Sequence, residues 1–214
     1  MTQSTLTRFC LVRHGETDWN TERRLQGQLD IPLNTTGLKQ AEQLSQALAC
    51  SGKSFDALYV SDLTRTRQTA LAIAKHNPIK VIATPALRER NFGCFQGFTY
   101  PEAEQQMPEA YCRFKSRDPG YIPDSGESLA VFNQRIVDFL QDTCVHHPGQ
   151  TLLVVSHGGV LDIAYRLANQ LPITRKRDFS IPNAALNWIN YHDGMWRMES
   201  WADASHLANS LDEI

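Results

Sequence analysis

The chain has no apolar run approaching the ~20 residues that cross a bilayer, so no membrane partner is expected. Met1 to Thr7 is polar and no long apolar segment follows it, which argues against a cleaved leader and makes the cytoplasm the expected location. Cysteine is sparse and odd in number: Cys10, Cys50, Cys94, Cys112 and Cys144, with no C-x-x-C pair. Neither a disulfide framework nor a thiolate zinc site is expected, and reduced thiols agree with a cytoplasmic address. Basic excess is missing too. The net charge of -2 speaks against a non-specific nucleic-acid binder, although a local basic pocket can oppose the net sign. There is no H-E-x-x-H, no EF-hand loop and no G-x-x-x-x-G-K-[ST], so no metal and no cofactor is required. Internal repeats and low-complexity tracts are also absent.

What is present is an ordinary globular composition, 42% hydrophobic and 21% charged over 214 residues, enough for one α/β domain spanning 1–214. Arg8 to Val12 reads as a short buried strand. A helix follows from Thr35 or Thr36 to Cys50, with Leu38, Ala41, Leu44, Ala47 and Leu48 on one face. Ala57 to Val60 is a second strand, and Ser61 or Asp62 caps a helix to about Lys75 whose inner face uses Ala70, Leu71, Ile73 and Ala74. Val81-Ile82 is a short third strand. Pro and Gly residues then break the pattern, and about 92–124 reads as an excursion of loops and short helices. Ser125-Gly126-Glu127-Ser128 starts a long amphipathic helix with Leu129, Phe132, Ile136, Phe139 and Leu140 on its inner face, ended by His147-Pro148-Gly149. Thr151 to Val155 is the strongest strand and leads to a helix ending near Asn169. Ala185 to Trp201 reads as two strands joined at Asp193-Gly194.

Strands alternating with helices imply a three-layer αβα sandwich around a mostly parallel sheet, with ligands bound beyond the carboxyl ends of the strands. Two strands end in histidine, at Arg13-His14-Gly15 and Ser156-His157-Gly158, and a third leads to Arg65. That set suits a phosphate monoester. Arg13 and Arg65 supply planar forks for a dianion, while Gly15, Gly158 and Gly159 let backbone N–H groups approach it. Neutral imidazole is a competent nucleophile, and neighbouring arginines disfavour the imidazolium. Glu89 is the candidate acid for the leaving group; a salt bridge to Arg88 or Arg90 is its plainer reading.

These residues resemble the histidine phosphatase superfamily, which contains the cofactor-dependent phosphoglycerate mutases. The resemblance rests on Leu11 to Asn20 (L-V-R-H-G-E-T-D-W-N), Gln26 to Leu33, Ser61 to Ala70 (S-D-L-T-R-T-R-Q-T-A), Ser156 to Gly159 and Asp203 to Leu207, in that order. It implies that His14 becomes phosphorylated, that Arg13, Arg65 and His157 hold the phosphate, and that Glu89 donates the proton. It also implies that Asn20, Gln26 and Gly27 lie near the bound group. Many members are oligomers, so a homodimer is a candidate assembly. A phosphatase of small-molecule phosphate monoesters is the expected function.

The alternative is a mutase primed by 2,3-bisphosphoglycerate, and a non-catalytic binding module is a third reading. Phe92 to Gly97 resembles the mutase segment, but Tyr100 stands where a mutase has lysine and the adjacent arginine pair is missing. Arg113, Lys115 and Arg117 are candidates to select a second negative charge. Arg175-Lys176-Arg177 reads as a solvated loop, and His146-His147 as a helix end facing water.

Overall fold

The computed structural model describes residues 5–208 and residue 212; the first four residues of the polar Met1–Thr7 opening lie outside them. Among the described residues six strands form one mixed sheet: β1 (Thr7–Arg13), β2 (Ala57–Ser61), β3 (Val81–Thr84), β4 (Thr151–Ser156), β5 (Leu186–His192) and β6 (Met195–Asp203), in the order β3-β2-β4-β1-β5-β6. The four strands from β3 to β1 run parallel, and β5 and β6 continue the sheet antiparallel. The helices are α1 (Asp18–Thr21), α2 (Thr35–Cys50), α3 (Thr64–His76), α4 (Tyr100–Gln106), α5 (Pro108–Lys115), α6 (Leu129–His146) and α7 (Gly158–Asn169). No helix among the described residues is long and apolar enough to cross a membrane.

The central strands are apolar at nearly every position because both faces are covered. Phe9, Leu11, Leu152 and Val154 point to a core shared with α6 and α7, through Phe132, Ile136, Leu161 and Ala164. Cys10, Val12, Leu153 and Val155 point the other way, to α2 and α3, through Leu44, Leu48, Ala70 and Ile73. This alternation of faces makes the three layers. The excursion adds a third core, in which Leu25, Phe95, Ala103, Tyr111 and Tyr121 pack with Phe92 and Phe114. It spans a 3₁₀ turn at Gly93–Phe95, α4 and α5, and Arg117 ties it to α7 through Asp162, at 2.9 Å.

Two helix starts differ from the sequence reading. Asn34, not Thr35 or Thr36, caps α2, its side chain accepting from the Gly37 N–H at 2.8 Å. The start of α3 is satisfied from a distance: Asp30 accepts the Thr64 N–H and hydroxyl, both at 2.7 Å. Ser61 and Asp62 are engaged elsewhere, Asp62 with Arg88. Leu38 and Leu71 face outward, Leu71 being 65% exposed. The small residues Gly37, Ala41, Thr66 and Thr69 sit inward instead, so that the two helices can approach the sheet and the loop after β1.

That loop crosses the start of α2 backbone to backbone. A Cβ on Gly37 would lie 2.0 Å from the Glu16 carbonyl oxygen, and one on Gly15 would lie 2.5 Å from that of Gly37. Overpacking of this kind costs about 1–3 kcal/mol. Gly37→Ala is therefore expected to lower the melting temperature by about 2–12 °C, at about 2–4 °C per kcal/mol for a domain of this size. An unchanged melting temperature would mean that the loop moves aside freely.

Candidate active site

Parallel strands in register bring their carboxyl ends together. Arg13 of β1 is level with Ser156 of β4, and the His14 N–H donates to the Ser156 carbonyl at 2.9 Å. Val60 of β2 is level with Val155, which brings Ser61 beside the end of β4. The next residues, His14 and His157, stand edge to face with ring centroids 5.3 Å apart, both buried. His14 Nδ1 lies 2.7 Å from the Gly15 carbonyl oxygen. A carbonyl only accepts, so Nδ1 carries the proton and Nε2 keeps its lone pair. Asn183 fixes the same turn by donating to the His14 carbonyl at 2.8 Å. His157 Nε2 lies 2.8 Å from the Ser61 hydroxyl, while its buried Nδ1 has no hydrogen-bond partner among the described residues.

Both arginines are buried against carbonyls, not spread over the surface. Arg13 donates to Ile181 at 2.9 Å, and Arg65 donates to Leu29 and Gly27 at 2.8 and 2.7 Å. Burial holds the His14 imidazole well below its usual protonation range, with Arg65 and then Arg13 adding to the effect. Desolvation is thus a larger cause than the neighbouring arginines expected from the sequence. His157 is lowered in the same way, by burial first and Arg65 next.

Glu89 follows a 3₁₀ turn at Pro85–Leu87. Its Oε2 accepts from the Gly159 N–H at 2.9 Å and its Oε1 from the Arg90 N–H at 2.7 Å. Neither flanking arginine forms a salt bridge with it: Arg88 pairs with Asp62 at 2.6 Å and Arg90 Nε donates to the Glu127 carbonyl. Burial raises the Glu89 carboxyl above the ordinary range, against the opposing effect of the two N–H groups, Arg65 and Arg13. A Cβ on Gly159 would lie 2.1 Å from Oε1, so only glycine lets the acid reach that N–H.

Arg13, His14, Asn20, Gln26, Gly27, Arg65, Glu89 and Gly158 all line one cavity of about 370 Å³. Gly15 does not. Its N–H donates to the Thr69 hydroxyl at 3.1 Å, and its lack of a side chain serves the approach to Gly37. Gly159 lines the cavity, but its N–H is taken by Glu89. The expectation that these two N–H groups face the anion is corrected accordingly. Lys115 and Arg117 reach the wall. Arg113 instead lies over the Tyr121 ring at 4.5 Å. Lys176 and Arg177, read as a solvated loop, also line the cavity. His147 bonds the Tyr59 hydroxyl at 2.8 Å instead of facing water. Glu16 accepts from the Asn34 side chain at 2.9 Å, holding the cap of α2 and not a substrate.

A buried pair of histidines, two arginines and a raised carboxyl at one sheet edge can bind a phosphoryl group, accept it and deliver a proton. The family model described as histidine phosphatase superfamily (branch 1) matches residues 9–204. The chain belongs to the histidine phosphatase superfamily. Among its relatives is the metal-independent phosphoserine phosphatase of Arabidopsis thaliana, 40% identical, with 97% of this chain and 86% of that protein covered. A probable phosphoglycerate mutase, GpmB, of Yersinia enterocolitica is 35% identical over 95% of this chain and 97% of its own. Among solved structures, a phosphoserine phosphatase mutant of Entamoeba histolytica in complex with phosphoserine superposes with a TM-score of 0.82 at 27% identity, covering 94% of this chain and 99% of that one. Family and relatives together support a phosphatase activity.

One support of this histidine phosphatase site carries no signal in the sequence. Arg135 of α6 grips Glu127 through both carboxylate oxygens, at 3.1 and 2.9 Å, and donates to the carbonyls of Ala86 and Arg88 at 2.8 and 2.9 Å. It thereby fixes the strand of chain that carries Glu89. No motif marks it, since it is one cation in an amphipathic helix. Arg135→Gln is expected to lower kcat about tenfold, by analogy with the loss of other supporting contacts, and to broaden or displace the alkaline limb of the pH profile. Arg135→Lys should recover little, because one ammonium cannot span this fork of partners. An unchanged pH profile would leave Arg135 a merely structural residue.

Proposed function

We propose that this chain hydrolyses phosphate monoesters of small metabolites through a phosphohistidine on His14, without a metal or other cofactor, in the cytoplasm. The observation that carries the reading is the hydrogen bond from His14 Nδ1 to the Gly15 carbonyl, which leaves Nε2 as the nucleophilic atom in a pocket flanked by two arginines. Nε2 attacks phosphorus while the ester P–O bond breaks, and Glu89 gives its proton to the leaving oxygen. Water then attacks the phosphoryl group on Nε2 and gives a proton to the Glu89 carboxylate. Inorganic phosphate leaves and both residues return to their starting states. Arg13, Arg65 and His157 hold the transferring oxygens, where positioning and charge do most of the work. Asn20, Gln26, Gly27 and Gly158 border the same space and contact the bound group.

Phosphoserine is the first substrate to test, since two of the relatives above are named for it. A mutase primed by 2,3-bisphosphoglycerate is the second reading, favoured by the GpmB relative and by the basic cavity wall. Tyr100, which lines the cavity where the mutases resembled here have lysine, weighs against it. The experiment is phosphate release from a panel of phosphomonoesters, including phosphoserine and 3-phosphoglycerate, in the presence of chelator. Metal-independent release with an acid-labile, base-stable phosphoenzyme is the expected result. Conversion of primed 3-phosphoglycerate to 2-phosphoglycerate, with no release from any member, would replace phosphatase by mutase.

A further inference from the structure

The cavity wall carries more positive charge than a phosphoryl group at His14 engages. Some of it is already matched within the protein. Arg24 pairs with Glu102 at 2.8 Å and Arg117 with Asp162 at 2.9 Å. Arg90 spends its Nε on a carbonyl and lies over the Phe114 ring. Arg23 on the same wall is exposed to solvent, whereas the loop after α7 supplies a half-buried guanidinium. That loop brings Lys176 and Arg177 to the wall, and neither has a carboxylate within 4 Å among the described residues.

Arg177 is half-buried. The acids that act on it are Asp162 and Asp212, and both are engaged. Asp162 holds Arg166 through two contacts of 3.0 Å and Arg117 through a third. Asp212 accepts from the Ile181 N–H at 3.0 Å. Burial and the nearby Arg13 push the Arg177 guanidinium below its ordinary range, as expected for a cation withdrawn from water without a matching anion. Tyr100 acts on Arg177 as well, and the Tyr100 ring lies 5.1 Å from Lys115 Nζ. The excursion and the loop after α7 thus meet on one wall of the cavity, which Arg13 also lines. A planar fork next to the phosphate pocket and lacking a protein anion fits a carboxylate on the substrate.

We propose that Arg177, with Lys176 and Lys115 on the same wall, is a carboxylate subsite, and that the substrates are phosphomonoesters whose alcohol portion carries a carboxylate. The turnover part of this inference rests on the phosphatase reading above; the binding part does not. It also moves the selecting cations from Arg113 and Arg117, which are held by Tyr121 and Asp162, to Arg177 and Lys176.

The test uses matched pairs differing at the carboxylate: O-phosphoserine against O-phosphoethanolamine, and 3-phosphoglycerate against glycerol 3-phosphate. The ratio of kcat/KM within a pair cancels any general loss of activity. The wild type is expected to favour the carboxylate member by about 10–100-fold, the scale of a lost charge-assisted hydrogen-bond pair. Arg177→Gln should bring the ratio below about fivefold, mainly through KM, and Arg177→Lys should fall between. The same pairs are then titrated calorimetrically into His14→Ala and His14→Ala/Arg177→Gln, which needs no turnover. A carboxylate preference in binding that disappears with Arg177 supports the subsite even if no phosphate is released, and in that case only the phosphatase reading fails. Equal affinity within each pair, or a preference indifferent to Arg177→Gln, overturns the subsite even if hydrolysis is robust.

Discussion

His14→Ala is expected to lower kcat for phosphomonoester hydrolysis by at least about 10⁴-fold, the scale on which removing a nucleophile acts. The assignment turns on which ring nitrogen is committed. His14 Nδ1 is held by a backbone carbonyl, which forces the proton onto that nitrogen. His157 differs, having its Nε2 engaged with the Ser61 hydroxyl. Rapid alkaline quench of wild type with labelled substrate should trap up to one phosphoryl group per chain, and His14→Ala should trap none. Arg13 and Arg65 remain in the variant, so substrate affinity should change far less than kcat. If label is still incorporated in His14→Ala, the nucleophile is another residue, and His157 is the first to examine.

Glu89→Gln is expected to lower kcat by about 10²–10⁴-fold for alkyl phosphates, the usual contribution of a general acid. The loss should be much smaller for p-nitrophenyl phosphate, whose leaving phenolate needs no proton. The pH dependence follows from two opposite shifts. Burial lowers His14, so the neutral nucleophile persists to more acidic pH than a free imidazole would. Burial raises Glu89, so the protonated acid persists to higher pH than an ordinary carboxylic acid. Activity should therefore rise with pH through the lowered His14 value and fall with pH through the raised Glu89 value. The pH–kcat/KM profile of Glu89→Gln should lose its alkaline limb. Retention of that limb at the same midpoint would assign the proton to a different group.

The same burial makes stability depend on pH. His14 and His157 both have folded-state values below the 6.5 of free imidazole. As pH falls below 6.5, the unfolded chain takes up protons that the folded chain refuses. Stability contributed by the two neutral rings is thus present above that pH and is lost as pH drops toward their folded values.

The apolar runs at Phe9 to Val12 and Leu152 to Val155 determine strands covered on both faces, because their residues alternate between two helical layers. The spacing of Arg13-His14, Arg65 and His157 after three strands determines which side chains meet, since parallel strands in register deliver their ends to one edge. Such information is local, carried by periodicity and by the residues directly after a strand. The tertiary structure alone decided the rest. Asp30 caps α3 from 34 residues away, a partnership that no local pattern records. Gly15 and Gly37 are glycines because two backbones touch there. Arg135 and Arg177 look like ordinary surface cations in sequence. They become a brace for Glu89 and a wall of the cavity only when the excursion and the loop after α7 close around the strand ends. The identity of a charged side chain fixes its chemistry, but whether water or another chain segment solvates it depends on contacts between residues far apart in sequence.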